Sequence, residues 1–148
     1  DGFSDVILGA PFYTNGQSEE GRAYVYLGSA SGLSTTHAWS REGNQAEAQF
    51  GWSVASAGDV KGDGYGDVIV GAQGYADGQE EEGAELVWNG SVTGMGSFGN
   101  PTTADWSVQG EQAQAYFGSA VAAAGDVNCD GRVDFADINP FVALLSGT

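Results

Sequence analysis

Asp59-Val-Lys-Gly-Asp63-Gly-Tyr-Gly-Asp67 sets acids at the first, fifth and ninth positions of a short loop, with glycine at the sixth. The same pattern returns as Asp126-Val-Asn-Cys-Asp130-Gly-Arg-Val-Asp134, and its tail opens the chain as Asp1-Gly-Phe-Ser-Asp5. This is the composition a calcium loop needs. Ca²⁺ is a hard cation that takes six to eight oxygens, and short acidic side chains at alternating positions converge on it. Glycine permits the backbone reversal that aims a carbonyl at the metal. One such loop is a weak signal, but two and a half in register indicate a calcium-stabilised repeat protein.

The register extends beyond the loops. The 67-position offset from Asp59 to Asp126 also carries Phe50-Gly51 onto Phe117-Gly118, Trp39-Ser40 onto Trp106-Ser107, and Gly43 onto Gly110. Upstream the offset is 62: Asp1 falls on Asp63, Asp5 on Asp67, and Gly9-Ala10 on Gly71-Ala72. The segment Gly21 to Gly32 maps in the same way onto Gly83 to Gly94. The difference between the offsets is one insertion between Gly94 and Trp106, which is expected in a loop. The repeats divide the chain into 1–49, 50–116 and 117–148.

Each repeat reads as four short strands. In the middle copy, Phe50–Ala57 alternates Phe50, Trp52 and Val54 with Gly51, Ser53 and Ala55, a period-two pattern with one small-residue face. After the loop comes the apolar run Val68-Ile-Val70. An acidic, glycine-rich turn from Gly78 to Gly83 leads to a strand around Leu86-Val-Trp88, and a fourth lies near Asp105–Val108. Short strands punctuated by Gly, Asn and Ser indicate an all-β fold. Four per repeat suggest the antiparallel blade of a β-propeller. The expectation is a propeller fragment: about two four-stranded blades plus a partial third.

The pattern Phe50-Gly51…Asp59-x-x-x-Asp63-Gly-x-x-Asp67-Val-Ile-Val-Gly71-Ala72 resembles the FG-GAP repeat of integrin α-subunit propellers and of many bacterial surface proteins. The first copy keeps the closing Gly9-Ala10-Pro11, while the second has Gln73 in place of the proline. The resemblance covers roughly residues 1–134. It implies a propeller, typically of about seven blades, with calcium in the loop joining the first two strands of a blade. It also implies partner-binding loops on the opposite face. Lys61 replaces the family's usual Asp or Asn at the third loop position, and an ammonium has no lone pair to give a metal. The middle site is then left with Asp59, Asp63, Asp67 and the Tyr65 carbonyl, and is expected to be weak or partly hydrated. The third loop has Asn128 there, with Arg132 at the carbonyl position. In the first loop, Asp1 and Asp5 are the matching ligands.

Beyond Asp134 the repeat pattern stops. Ile138, Phe141, Val142 and Leu145 fall on one face of a helix. Asp137 is a natural N-cap, and Pro140 sits in the first turn, where proline is tolerated. Asp137 is also the twelfth position counted from Asp126. Asp126, Asn128, Asp130, Gly131, Asp134 and Asp137 therefore form an EF-hand-like loop with its exiting helix. This tail is similar to half of a type I dockerin and to the Asp-Val-Asn-Cys-Asp-Gly tails of some secreted planctomycete proteins. A dockerin has two such units and only one is present here, so the plainer reading is a calcium-stapled cap on the last blade.

Composition bounds the rest. About two and a half repeats in 148 residues cannot close a propeller ring, and an open stack leaves apolar faces without a neighbour. The expectation is a C-terminal fragment of a longer protein, with the remaining blades upstream. No apolar stretch is long enough to span a membrane. The net charge of −16, with only Arg22, Arg41, Lys61 and Arg132 basic, argues against nucleic-acid binding. Glu19-Glu20 and Glu80-Glu81-Glu82 fall in matching turns and read as solvated hairpin tips, the alternative being a further cation site or a cationic-partner site. Cys129 is the only cysteine, and reads as a packed or free thiol. His37 is the only histidine and reads as packed beside Trp39; one histidine makes neither a zinc site nor a triad. Trp39, Trp52, Trp88 and Trp106 read as blade packing rather than as a sugar-stacking platform.

Three functions follow. The first is a non-enzymatic extracellular or cell-surface propeller that binds a protein or glycan partner and uses calcium structurally. The second places the function in a dockerin-like assembly tail. The third makes the repeats the scaffold of a secreted enzyme whose catalytic domain lies upstream.

Overall fold

A computed structural model describes residues 2–96 and 101–125. The described residues form seven strands in two antiparallel sheets. The first sheet has β1 (Val6–Ala10), β2 (Arg22–Tyr26) and β3 (Trp39–Glu42) in that order. The second has β4 (Phe50–Gly58), β5 (Asp67–Ala72), β6 (Ala84–Trp88) and β7 (Trp106–Gln109). This is an all-β arrangement of propeller-blade type. By sequence offset β1, β2 and β3 are the counterparts of β5, β6 and β7. The first sheet is therefore three-stranded, without a described counterpart of β4. The insertion after Gly94 leads to a single 3-10 turn at Pro101–Thr103. The expected C-terminal helix, the EF-hand-like loop and Cys129 lie outside the described residues.

The core lies between the sheets. Ala23, Val25 and Trp39 of the first pack against Val68, Val70, Ala72, Ala84, Leu86 and Trp88 of the second, with Phe50. Trp88 is central: its ring meets Trp39 edge-on at 5.4 Å and Phe50 at 5.6 Å. Trp39 sits opposite Val25 in the β2–β3 register, as Trp106 sits opposite Val87 in the β6–β7 register. Each repeat thus turns its tryptophan toward the repeat that follows. On the far side of the second sheet, Ala57, Val60, Ile69 and Val87 form a smaller cluster beneath Val121 and Trp106. The far side of the first sheet is more open. There Leu8 is 50 % exposed, and His37 lies against the Tyr24 and Tyr26 rings.

Two expectations change. His37 is exposed, and packs on those tyrosines rather than beside Trp39. The alternation expected from Phe50 through Val54 is also broken. Gly51 takes a φ of +83°, and the β4–β5 register shifts between Phe50 and Ser53. A bulge of this kind re-aims the next side chain: Phe50 is fully buried, whereas Trp52 is 41 % exposed and meets the Phe12 ring edge-on. The four tryptophans therefore form no common platform.

The bulge has a steric cause. A Cβ on Gly9 would lie 1.9 Å from the Gly51 carbonyl oxygen, and one on Gly71 would lie 2.0 Å from that of Gly118. The closing glycine of each repeat thus touches the Phe-Gly glycine of the next, backbone to backbone. Phe-Gly and Gly-Ala are two halves of one inter-blade contact.

The hairpin tips reinforce it. Glu47, Gln49 and Phe50 donate their amides to the carbonyls of Ser18, Glu19 and Glu20 at 2.7, 3.0 and 3.1 Å. One repeat later Gln114, Tyr116 and Phe117 donate to Glu80, Glu81 and Glu82 at 2.8, 3.1 and 3.0 Å. Each β-hairpin is stitched to the linker that enters the following repeat.

Candidate functional site

The loop between β4 and β5 holds the middle candidate ligands. Asp59 accepts the Asp63 amide on Oδ1 at 3.0 Å and the Gly64 amide on Oδ2 at 2.6 Å. Asp63 accepts the Tyr65 amide on Oδ1 at 3.2 Å, and its Oδ2 lies 2.6 Å from the Lys61 ammonium. Asp67 is buried. Its Oδ1 accepts the Gly90 amide at 2.7 Å and its Oδ2 the Val60 amide at 2.8 Å. The short aspartate side chains fold the loop back on itself, as such residues do in turns.

The charges follow this wiring. The bond to Lys61 holds the Asp63 carboxyl below the usual carboxylate range, and the same bond raises Lys61. Burial pushes the Asp67 carboxyl up, with the Gly90 and Val60 amides pulling against it. Lys61 also donates to the Gly90 carbonyl at 3.2 Å, which ties the loop to the turn after β6. In the first repeat Asp5 Oδ1 accepts the Gly28 amide at 2.9 Å, the counterpart of the Asp67–Gly90 bond. The ninth loop position is therefore a structural staple between a calcium-type loop and the turn after the third strand of its repeat. Asp5 and Asp67 both line an open cleft of about 500 Å³ between the sheets, together with Leu27, Trp39, Tyr65 and Met95.

Among the described residues no group of three or more Asp, Glu, His or Cys is arranged to hold a metal ion. The donor set of the middle loop does not fit calcium as it stands. Its carboxylate oxygens face nitrogen donors, and the third position contributes a cation instead of a ligand. Asp1 and the third-loop set of Asp126, Asn128, Asp130, Arg132, Asp134 and Asp137 lie outside the described residues.

The hairpin acids were only partly legible. Glu80 is exposed, as solvated tips should be. Glu20 and Glu82, at matching repeat positions, are 0 % and 2 % exposed. Glu20 Oε1 accepts the Asn15 amide at 2.6 Å, and Glu82 Oε1 accepts that of Asp77. Both close their hairpins from inside. The signal was the glycine after each of them, Gly21 and Gly83. A Cβ there would collide with the backbone of Phe50 or Phe117, so the preceding residue is drawn under the next repeat.

Repeated blades, loops stapled by the ninth-position acid and paired glycines across blades define the class. Residues 50–91 match the FG-GAP repeat family. The chain is 37% identical to integrin alpha pat-2 of Caenorhabditis briggsae over 92% of its own length and 12% of that relative. It is 33% identical to integrin alpha-PS2 of Drosophila melanogaster over 89% of its own length and 10% of that relative. Integrin alpha-10 of Homo sapiens is 33% identical over 92% of this chain and 11% of its own length. The chain spans about a tenth of the length of these relatives. It carries an FG-GAP repeat and is similar to integrin alpha chains.

Proposed function

We propose that the chain is a non-catalytic, extracellular or cell-surface module of adhesion type, which packs with further blades and binds a protein or glycan partner. The observation that carries this reading is the repeated inter-blade contact, Gly9 on Gly51 and Gly71 on Gly118, in a chain similar to integrin alpha chains. A rigid blade stack of this kind holds loops at fixed spacing, and binding residues concentrate on loops positioned by a rigid scaffold. The partner face is the one opposite the calcium-type loops, where the β1–β2 and β5–β6 hairpins and the linkers end. The buried acids serve the fold: Glu20 and Glu82 are bonded to amides of their own hairpins, and Asp67 to the amides of Val60 and Gly90.

Calcium acts structurally in this reading. It is assigned to Asp126, Asn128, Asp130, Asp134 and Asp137 with the Arg132 carbonyl, and to Asp5 with Asp1. Clustered carboxylates repel one another until a cation neutralises them. Extracellular modules work with weak sites, of order 10⁻⁴–10⁻³ M. Two measurements test the proposal. Calorimetric titration of EDTA-treated protein is expected to show calcium binding whose tighter site is lost in Asp130→Ala. The calcium-loaded chain is expected to bind saturably to members of a panel of purified extracellular-matrix proteins and glycans. No calcium binding at several times the weak-site range would overturn the structural-calcium assignment. No binding to any panel member would overturn the adhesion reading.

A further inference from the structure

The middle loop has a feature that the calcium pattern does not explain. Each of its six carboxylate oxygens, on Asp59, Asp63 and Asp67, faces a nitrogen donor of the protein itself. Five of those donors are backbone amides and the sixth is the Lys61 ammonium. Lys61 stands at the third loop position, where the third repeat has Asn128. From there it reaches Asp63 Oδ2 at 2.6 Å and the Gly90 carbonyl at 3.2 Å. Gly90 is the residue whose amide is held by Asp67 at 2.7 Å. One ammonium thus joins the tip of the loop to the neighbouring turn, the cross-link a metal ion makes when it takes both a carboxylate and a carbonyl. It also brings positive charge among three carboxylates, which weakens their attraction for a divalent ion, and it offers no lone pair.

We propose that the middle repeat is closed by its own lysine. The Lys61 ammonium takes the structural place of a calcium ion, and this blade folds independently of calcium. Calcium dependence is then confined to the flanking loops, and loss of extracellular calcium loosens those while the central blade stays folded. The inference does not rest on the adhesion reading.

The test uses the whole chain. Asp1→Ala combined with Asp130→Ala removes a candidate ligand from each flanking loop. In that background calcium is expected to leave the melting temperature unchanged, and Tb³⁺ is expected to give no luminescence sensitised by Tyr65. Adding Lys61→Asn is expected to create one saturable site. Calcium at about a hundred times its dissociation constant then raises the melting temperature by roughly 5 °C or more. In otherwise unaltered protein, Lys61→Met is expected to lower the melting temperature in EDTA, with calcium restoring it. The proposal is overturned if the Asp1→Ala/Asp130→Ala chain keeps a calcium-induced shift that Asp63→Asn abolishes. It is equally overturned if Lys61→Met melts in EDTA at the same temperature as the unaltered chain. Should the Asp1→Ala/Asp130→Ala chain fail to fold, the Lys61→Met comparison decides alone. Failure here leaves the adhesion reading standing, because partner binding is read separately.

Discussion

Glu82 shows how far a single residue's role departs from its local sequence. In Glu80-Glu81-Glu82 all three acids read as solvent-facing, and nothing in the triplet singles out the third. Burial of Glu82 is set by Gly83, which presses on Phe117 from the following repeat, a contact between residues far apart in the chain. Once buried, its carboxylate finds the Asp77 amide across the hairpin. A hydrogen bond to a charged group contributes about 1.5–3 kcal/mol. Glu82→Ala is therefore expected to destabilise the fold by about that amount, read from denaturant unfolding. Glu82→Gln keeps a carbonyl oxygen in the same place and is expected to lose much less. Equal losses in the two variants would mean that the charge, and not the bond, holds the hairpin. Lys61 was legible as a departure from the loop pattern, but its bond to the Gly90 carbonyl was not, because that partner is fixed only when β6 pairs with β5.

At the scale of elements the strands were the most readable part of the chain. Val68-Ile-Val70 and Leu86-Val-Trp88 are apolar runs bounded by glycine and polar turns, the Trp106 strand alternates Trp and Val with Ser and Gln, and each forms where expected. Strand β4 was less readable, since a period-two pattern cannot reveal a bulge whose cause is a backbone in another blade. That cause is testable. Ala at Gly71 would place its Cβ 2.0 Å from the Gly118 carbonyl oxygen and 2.4 Å from Ser53 Oγ. The serine side chain can turn away, but the carbonyl is main chain and cannot. Gly71→Ala and its counterpart Gly9→Ala are each expected to cost about 1–3 kcal/mol or more. Gly66→Ala serves as the control: a Cβ there meets nothing within 4 Å, so its change is expected within about 0.5 kcal/mol. Both effects are read as shifts in unfolding midpoint at constant slope. A neutral Gly71→Ala would mean that the blades yield at this contact and that the paired glycines have no steric role.

At the scale of the molecule the two sheets share one core, and this decides how the chain unfolds. Trp39 comes from the first sheet, yet its ring rests on Trp88 of the second, and the residues around both form one buried cluster. The hairpin-to-linker bonds join the sheets a second time, from Ser18 through Glu20 to Glu47 through Phe50. The repeat register made two units legible in the sequence. It did not show that neither unit buries its apolar face alone, which is the general condition of stacked repeats. Truncating a buried tryptophan to alanine costs about 3–5 kcal/mol, and in Trp39→Ala that loss falls on the surface between the sheets. Unfolding of the unaltered chain is expected as one transition, with coincident signals from tryptophan fluorescence and far-ultraviolet circular dichroism. Trp39→Ala is expected to lower that transition as a whole, or to split it so that the first sheet melts ahead of the second. If instead the unaltered chain melts in two separate steps and Trp39→Ala moves only the earlier one, the sheets are independent units. The cluster between them would then be contact without coupling.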